Sequence, residues 1–193
     1  MVTVNQPCLS KHGIVDGLKQ LLGDKFTPEI EKLIDENTIG WYSRSLATSL
    51  FAFCRNEYGK MCVLGIKRGQ GCPDFNGFWN AMSGYLEFNI TCRQNAVKEA
   101  FEEASLTLNP DDLIYIGFED DPVKANRQNV TMRYAYVFPE DVVTIDVNVN
   151  REHMEDREVE EIKWIPLDEV VAYPWAFGHD ETILEIAEKL ELT

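Results

Sequence analysis

The sequence predicts an α/β (α+β) fold, a mixed β-sheet with helices on its faces. Three observations carry this reading. The chain has 193 residues with 45% apolar and 26% charged, enough to bury one core and too apolar to stay disordered. Apolar runs of strand length alternate with segments of helical period, in the order helix, hairpin, loop, helix, several strands, helix. The twelve Gly and eight Pro punctuate these segments and form no repeat.

Residues 1–40 read as a helical extension: Ile14, Val15, Leu18, Leu21 and Leu22 recur at helical spacing, and Thr27-Pro28 starts a second short helix through Ile34. The remaining 41–193 form the main domain. Ser45–Phe53 and Met61–Ile66 are rich in Leu, Phe, Val and Ile and flank a turn at Arg55–Gly59, which predicts a β-hairpin. Residues 68–84 carry Gly69, Gly71, Gly77 and Gly84 among Phe75, Phe78 and Trp79, and read as an aromatic loop. Thr91 and Gln94 have the spacing of a capping box, so a helix should run from there to about Ala104. Strands are expected at Leu113–Phe118, Val130–Phe138 and Ile162–Ile165, and a last helix over Glu181–Leu190. Asp180 reads as that helix's cap and His179 as structural.

The formal charge of −15 argues against binding to duplex nucleic acid or an anionic membrane, which reward clustered cations. No apolar run approaches the roughly 18 residues that a membrane span needs. Cys8, Cys54, Cys62, Cys72 and Cys92 are odd in number with no C-x-x-C pair, and the N-terminus lacks a basic and then apolar leader. A reducing, cytoplasmic setting is expected. No G-x-x-x-x-G-K-[ST], H-E-x-x-H or G-x-S-x-G motif is present.

The helix after Thr91 carries the chemistry. Glu99, Glu102 and Glu103 sit at i, i+3 and i+4 and share one face, while Val97, Ala100, Phe101 and Ala104 project to the other side and should bury the helix. Carboxylates about 5 Å apart repel by an amount on the order of 3 kcal/mol per pair at an effective dielectric near 20. Closely spaced oxygen ligands suit a hard divalent cation such as Mg²⁺, which bridges to substrate phosphates. A solvated acidic face is the competing reading.

The wider stretch from Ser83 to Leu106 resembles the Nudix box of the Nudix hydrolases, G-x5-E-x7-R-E-U-x-E-E-x-G-U with U bulky and apolar. Gly84, Glu99, Glu102, Glu103 and Leu106 match, with Ala100 a small occupant of the first U position. Ile90, Lys98 and Ser105 depart, standing where the pattern has Glu, Arg and Gly. In the family that Glu and Arg pair to brace the loop against the helix, and here both have changed. Lys67–Trp79 and Glu160–Glu169 are also similar to the family's strands and turns, so the resemblance covers roughly residues 45–190.

The resemblance implies a Nudix-type α/β/α sandwich that hydrolyses a phosphoanhydride of a nucleoside diphosphate linked to another moiety, with Mg²⁺ or Mn²⁺ as cofactor. It implies Glu102 and Glu103 as metal ligands, Glu99 as a further ligand or the group that deprotonates water, and the Ser83 carbonyl as another ligand. Lys67, Arg68, Arg127 and Arg133 are candidate cations for the phosphates. Phe78, Trp79 and Tyr85 are candidate stacking groups for a base, and Asn126–Asn129 a candidate specificity segment. Surface solubility and core packing compete for each of these residues. Glu155, Asp156, Glu158, Glu160 and Glu161 either supply a late metal ligand or form a solvated face. Two rival readings stand: a Nudix-fold module that binds a nucleotide or protein without cleavage, and a chain whose residues 1–40 make a dimer interface and which acts mainly through a partner.

Overall fold

Among the described residues, large apolar residues at period two build a seven-stranded sheet of β1 (Ser45–Arg55), β2 (Met61–Arg68), β3 (Trp79–Asn80), β4 (Met82–Tyr85), β5 (Ile114–Glu119), β6 (Asn129–Val137) and β7 (Val159–Pro166), in the order β3-β2-β1-β6-β5 with β4 also paired to β1 and β7 to β2. The computed structural model describes residues 18–37, 45–121, 129–149 and 157–192. Cys8, Ile14, Val15, Asn126, Arg127, Glu155 and Asp156, which figure among the expectations above, lie outside the described residues.

The chain divides into two units, residues 1–45 and 46–193. In the first, residues 18–22 are helical, a 3₁₀ turn covers Gly23–Lys25, and helix α1 spans Pro28–Asn37. Thr27 starts α1 by accepting the Ile30 N–H on its hydroxyl at 3.4 Å, and Pro28 loses nothing at a position whose N–H has no helical partner.

In the second unit, β1 (Ser45–Arg55) and β2 (Met61–Arg68) form the expected hairpin. Asn56 closes its turn, its side-chain oxygen accepting the N–H groups of Tyr58 and Lys60 at 3.0 Å each. Beyond the turn the two strands diverge. β1 pairs with β2 only at Phe53–Arg55, and at Ala47–Leu50 it pairs instead with β4. The gap is filled by β3 (Trp79–Asn80) and β4 (Met82–Tyr85), so the aromatic loop predicted over 68–84 ends in two short strands. Their turn-like composition hid them. Helix α2 (Cys92–Ala104) follows, then β5 (Ile114–Glu119), β6 (Asn129–Val137), β7 (Val159–Pro166), a 3₁₀ segment at Leu167–Ala172 and helix α3 (His179–Lys189).

Side-chain alternation in β1 sends Phe51 and Phe53 to one core with Ile183 and Ile186 of α3. Leu50 and Ala52 go to the other, with Ala96, Ala100 and Ala104 of α2. The result is an α/β/α sandwich with a mixed sheet: the strand ladders are supplemented by parallel bridges Arg55–Val143 and Trp79–Trp175. The described cysteines, Cys54, Cys62, Cys72 and Cys92, are free thiols. No helix among the described residues is long and apolar enough to cross a membrane.

The α3 cap differs from expectation. Gly178, in the left-handed conformation, precedes the helix with no side-chain cap, and Asp180 lies within the first turn. His179 is 5% exposed, and its Nδ1 accepts the Ala81 N–H at 3.0 Å, which ties α3 to the β3–β4 junction. Burial, with help from the Arg133 and Arg68 charges, pushes its pKa down to about 3 from an ordinary 6.5. The neutral ring therefore stabilises the fold fully above pH 6.5, and that contribution falls as pH drops from 6.5 toward 3, by about 1.4 kcal/mol per pH unit. His179→Asn, which keeps an acceptor and cannot take up a proton, should be less stable than wild type at pH 7.5. In thermal melts the gap should narrow by pH 5; a gap independent of pH would contradict this assignment.

Candidate active site

Helix α2 starts where a true capping box sits: Thr91 Oγ1 accepts the Gln94 N–H at 3.3 Å, and the Gln94 side chain accepts the Thr91 N–H at 2.8 Å. Its buried stripe is Ala96, Ala100 and Ala104, small residues one turn apart that bring the helix axis close to the sheet. Val97 packs at the margin of this core. Phe101, expected inside, is 40% exposed, because the stripe of alanines is narrow and residue 101 lies about 100° round from Ala100.

Asn95 is a buried polar residue that the motif reading passed over. Its Nδ2 donates to Thr48 Oγ1 of β1 at 2.9 Å, and its Oδ1 accepts the Glu87 N–H at 3.1 Å. It fixes helix, sheet and the preceding loop together. A polar side chain one position before a stripe of alanines was the only sequence signal for it.

Close packing sets two of the acids against β4. A Cβ on Gly84 would lie 2.2 Å from the Glu99 carboxyl carbon, so only glycine leaves room for that carboxylate. One turn on, Glu103 Oε2 accepts the Ser83 N–H at 3.2 Å. In the β1–β4 ladder, Leu86 N–H donates to Leu46 O, which makes Leu46 and Leu86 a bonded pair and, three positions along, Ser49 and Ser83 a non-bonded one. The Ser83 N–H and C=O therefore both face away from β1, toward the edge where Glu103 lies.

Burial raises Glu99 to about 7, against the pull of Lys98 and with Glu102, Glu87 and Glu158 adding to it. Burial likewise lifts Glu103 well above the carboxylate range; Glu99 and Glu158 add to the rise, which the Ser83 N–H and Arg68 only partly oppose. Glu158 thus joins the acid cluster, while its neighbours Glu160 and Glu161 face Lys67 at 2.7 and 4.0 Å.

Glu102 is placed differently from the other two acids. It contacts Lys98, whose ammonium also lies 3.3 Å from Glu87. Among the described residues no three His, Cys, Asp or Glu side chains form a group that could hold a metal. Glu99, Glu103 and the Ser83 carbonyl nevertheless offer oxygen donors, and burial, only partly opposed by Lys98 and Arg68, makes the two carboxyls resist ionisation. That chemistry fits a hard dication, which needs only one or two carboxylates and keeps its own waters.

The family model of the NUDIX domain matches residues 45–186. The chain belongs to the NUDIX domain family. A search of curated proteins finds no match. Solved NUDIX structures share the fold. The NUDIX domain of Shewanella oneidensis NrtR, crystallised with ADP ribose, superposes with a TM-score of 0.63 at 18% identity, over 83% of this chain and 98% of that one. A MutT/nudix family protein from Enterococcus faecalis gives 0.64 at 15%, over 91% and 73%. A bifunctional NMN adenylyltransferase/ADP ribose pyrophosphatase from Francisella tularensis, complexed with AMP and a Mn ion, gives 0.60 at 15%. The match covers 93% of this chain and 47% of that longer protein.

One NUDIX-box departure has a local explanation. Ser105 ends α2 in the left-handed conformation, φ 56°, where glycine carries no steric cost, and its hydroxyl donates to Asn148 O at 3.2 Å. Ser105→Gly should raise stability by about 0.5–1 kcal/mol, read as a higher urea midpoint with unchanged slope. An unchanged or lower midpoint would show that the Asn148 hydrogen bond outweighs the strain.

The remaining candidates scatter. Arg68 donates from Nε and Nη2 to Asp74 at 3.1 and 3.0 Å and lies over the Phe177 ring, bracing the 69–78 loop. Arg133 pairs with Glu119 at 3.2 Å and is 9% exposed. Trp79 is a core residue, 5% exposed and edge-on to Tyr173, so its faces are closed to a base. Tyr85 is 40% exposed at the end of β4, its hydroxyl accepting Asn129 Nδ2 at 3.4 Å, and Phe78 is 38% exposed.

Proposed function

We propose that the chain is a metal-dependent hydrolase that cleaves a phosphoanhydride bond of a nucleoside diphosphate linked to another moiety. The observation that carries this is the pairing of Glu99 and Glu103 beside the outward edge of Ser83, two carboxyls whose ionisation burial opposes and a bound cation would favour. Glu99, Glu103 and the Ser83 carbonyl would hold Mg²⁺ or Mn²⁺, with Glu102 as a further ligand once it leaves Lys98. Bound there, the cation would screen the phosphate oxygens and make water more acidic.

The protein's own groups do the rest. Glu99 either completes the donor set or, left off the cation, takes the proton from the attacking water, a role that its pKa of about 7 in the metal-free protein suits. Glu103 is fixed by the Ser83 N–H, and that fixity keeps the donor set in register. Tyr85 offers an exposed ring to a base, and Arg127 a cation to the phosphates. Arg68 supports the site from behind by ordering the loop. The activity belongs to residues 41–193, with 1–40 an appended segment and a candidate dimer contact, in a reducing cytoplasmic setting.

A second reading, a nucleotide-binding module without turnover, draws on one observation: Glu102 is paired with Lys98 and so is not free for a cation. Incubation with Mg²⁺ or Mn²⁺ and a panel of ADP-ribose, dinucleoside polyphosphates, sugar nucleotides and nucleoside triphosphates, followed by chromatography, separates the two. Metal-dependent product release is the expected result. Nucleotide-induced thermal shifts with no product would favour the module.

A further inference from the structure

Lys98 stands between two acids. Its ammonium lies 3.3 Å from Glu87 Oε1 and also contacts Glu102 one helical turn on. Glu87 is anchored through its backbone, since its N–H is held by Asn95 Oδ1 and Asn95 is fully buried against Thr48. An ammonium with three donors on a flexible stem can serve two carboxylates and shift between them. The box pattern has its acid at position 90, where this chain has Ile90, and Lys98 has found Glu87 three residues earlier.

We infer that Glu87 is the counter-acid that lets Lys98 release Glu102, so that Glu102 turns to join Glu99 and Glu103 when a divalent cation binds. The inference rests on the metal-dependent reading of the same helix. With Glu102 as sole partner, Lys98 would lose its pairing whenever Glu102 turned away, leaving a half-buried ammonium alone. With Glu87 present, the ammonium stays paired in both arrangements. Glu87 and Lys98 are positioning residues, and neither touches the substrate.

The test is Mn²⁺ binding to the full-length, metal-free chain without nucleotide, followed by electron paramagnetic resonance of free Mn²⁺, with melting temperature read alongside. Glu87→Gln should weaken binding about two- to fivefold, the range of a partly exposed ion pair. Ile90→Glu should restore it in that background. In a Lys98→Gln background, Glu87→Gln should change nothing, because there is no ammonium left to accommodate. Wild-type Mn²⁺ affinity in Glu87→Gln would overturn the inference even if the melting temperature falls, and so would an equal loss in the Lys98→Gln background. Should Glu87→Gln not fold, Lys98→Gln alone decides: binding at least as tight as wild type supports the release, and weaker binding overturns it. Mn²⁺ binding with this pattern and no turnover on any nucleotide would sink the hydrolase and leave this inference standing. No Mn²⁺ binding by wild type would overturn both.

Discussion

Replacing Glu99 by Gln is expected to make the metal-free protein more stable at pH 8, by about 2 kcal/mol, while reducing hydrolysis by a factor of about 10³ or more. Both effects have one cause. The folded Glu99 carboxyl titrates at about 7, against an ordinary 4.5. Between pH 4.5 and 7 the folded state therefore keeps a proton that the unfolded chain has lost, and stability falls as pH rises through that window. Above pH 7 the cost is fully present, moderated by the solvent that reaches this half-buried group. Gln has the same shape and no charge, so it escapes the cost and also loses the ability to take a proton. Thermal melts in chelator at pH 5 and pH 8 check the sign: the variant's advantage should be small at pH 5 and largest at pH 8. Added Mg²⁺ should reverse the order at pH 8, since only wild type gains a full donor set.

Gly84→Ala should reduce turnover by about 10²-fold with a loss of stability of only about 1 kcal/mol. The new Cβ would fall 2.2 Å from both the Glu99 carboxyl carbon and Oε1, and 2.5 Å from Oε2. The atoms in the way are the far end of a side chain, so the carboxylate moves aside and the β1–β4 ladder, with its Thr48–Gly84 register, is kept. The change therefore misplaces a reacting group without dismantling the fold. Matched kcat and melting-temperature measurements check it. A large drop in melting temperature would mean instead that β4 has been pushed off the sheet.

Local rules made some parts of this protein readable and non-local contacts hid others. The α2 start was readable because a capping box is closed by residues three apart, and the hairpin because its strands are long and its turn short. β3 and β4 were hidden because two- and four-residue strands among Gly, Asn and Ser carry almost no periodic signal. The shared face of Glu99 and Glu103 followed from helical geometry, but the diversion of Glu102 did not, although Lys98 stands four residues before it at a spacing that allows pairing. Trp79 was offered to a base by its place near the box, and the divergence of β1 and β2 drew it into the core instead. Arg68 and Arg133 could not be sorted from surface cations, because their partners Asp74 and Glu119 are brought to them by the loop and the sheet. Glu158, within a charged stretch that reads as solvated, feels Glu99 and Glu103 only once β7 is laid beside β2.

If Glu103 and Glu99 hold the cation that drives phosphoanhydride hydrolysis, removing one of these carboxylates must abolish metal-dependent turnover. Product release from the best-cleaved nucleotide of the panel, measured for wild type and Glu103→Gln at pH 8, with Mg²⁺ and with chelator, decides this. Wild type should release product only with Mg²⁺, and the variant, folded by its melting curve, should release about 10³-fold less or none. Equal release by the two proteins, or release that persists in chelator, would contradict the account.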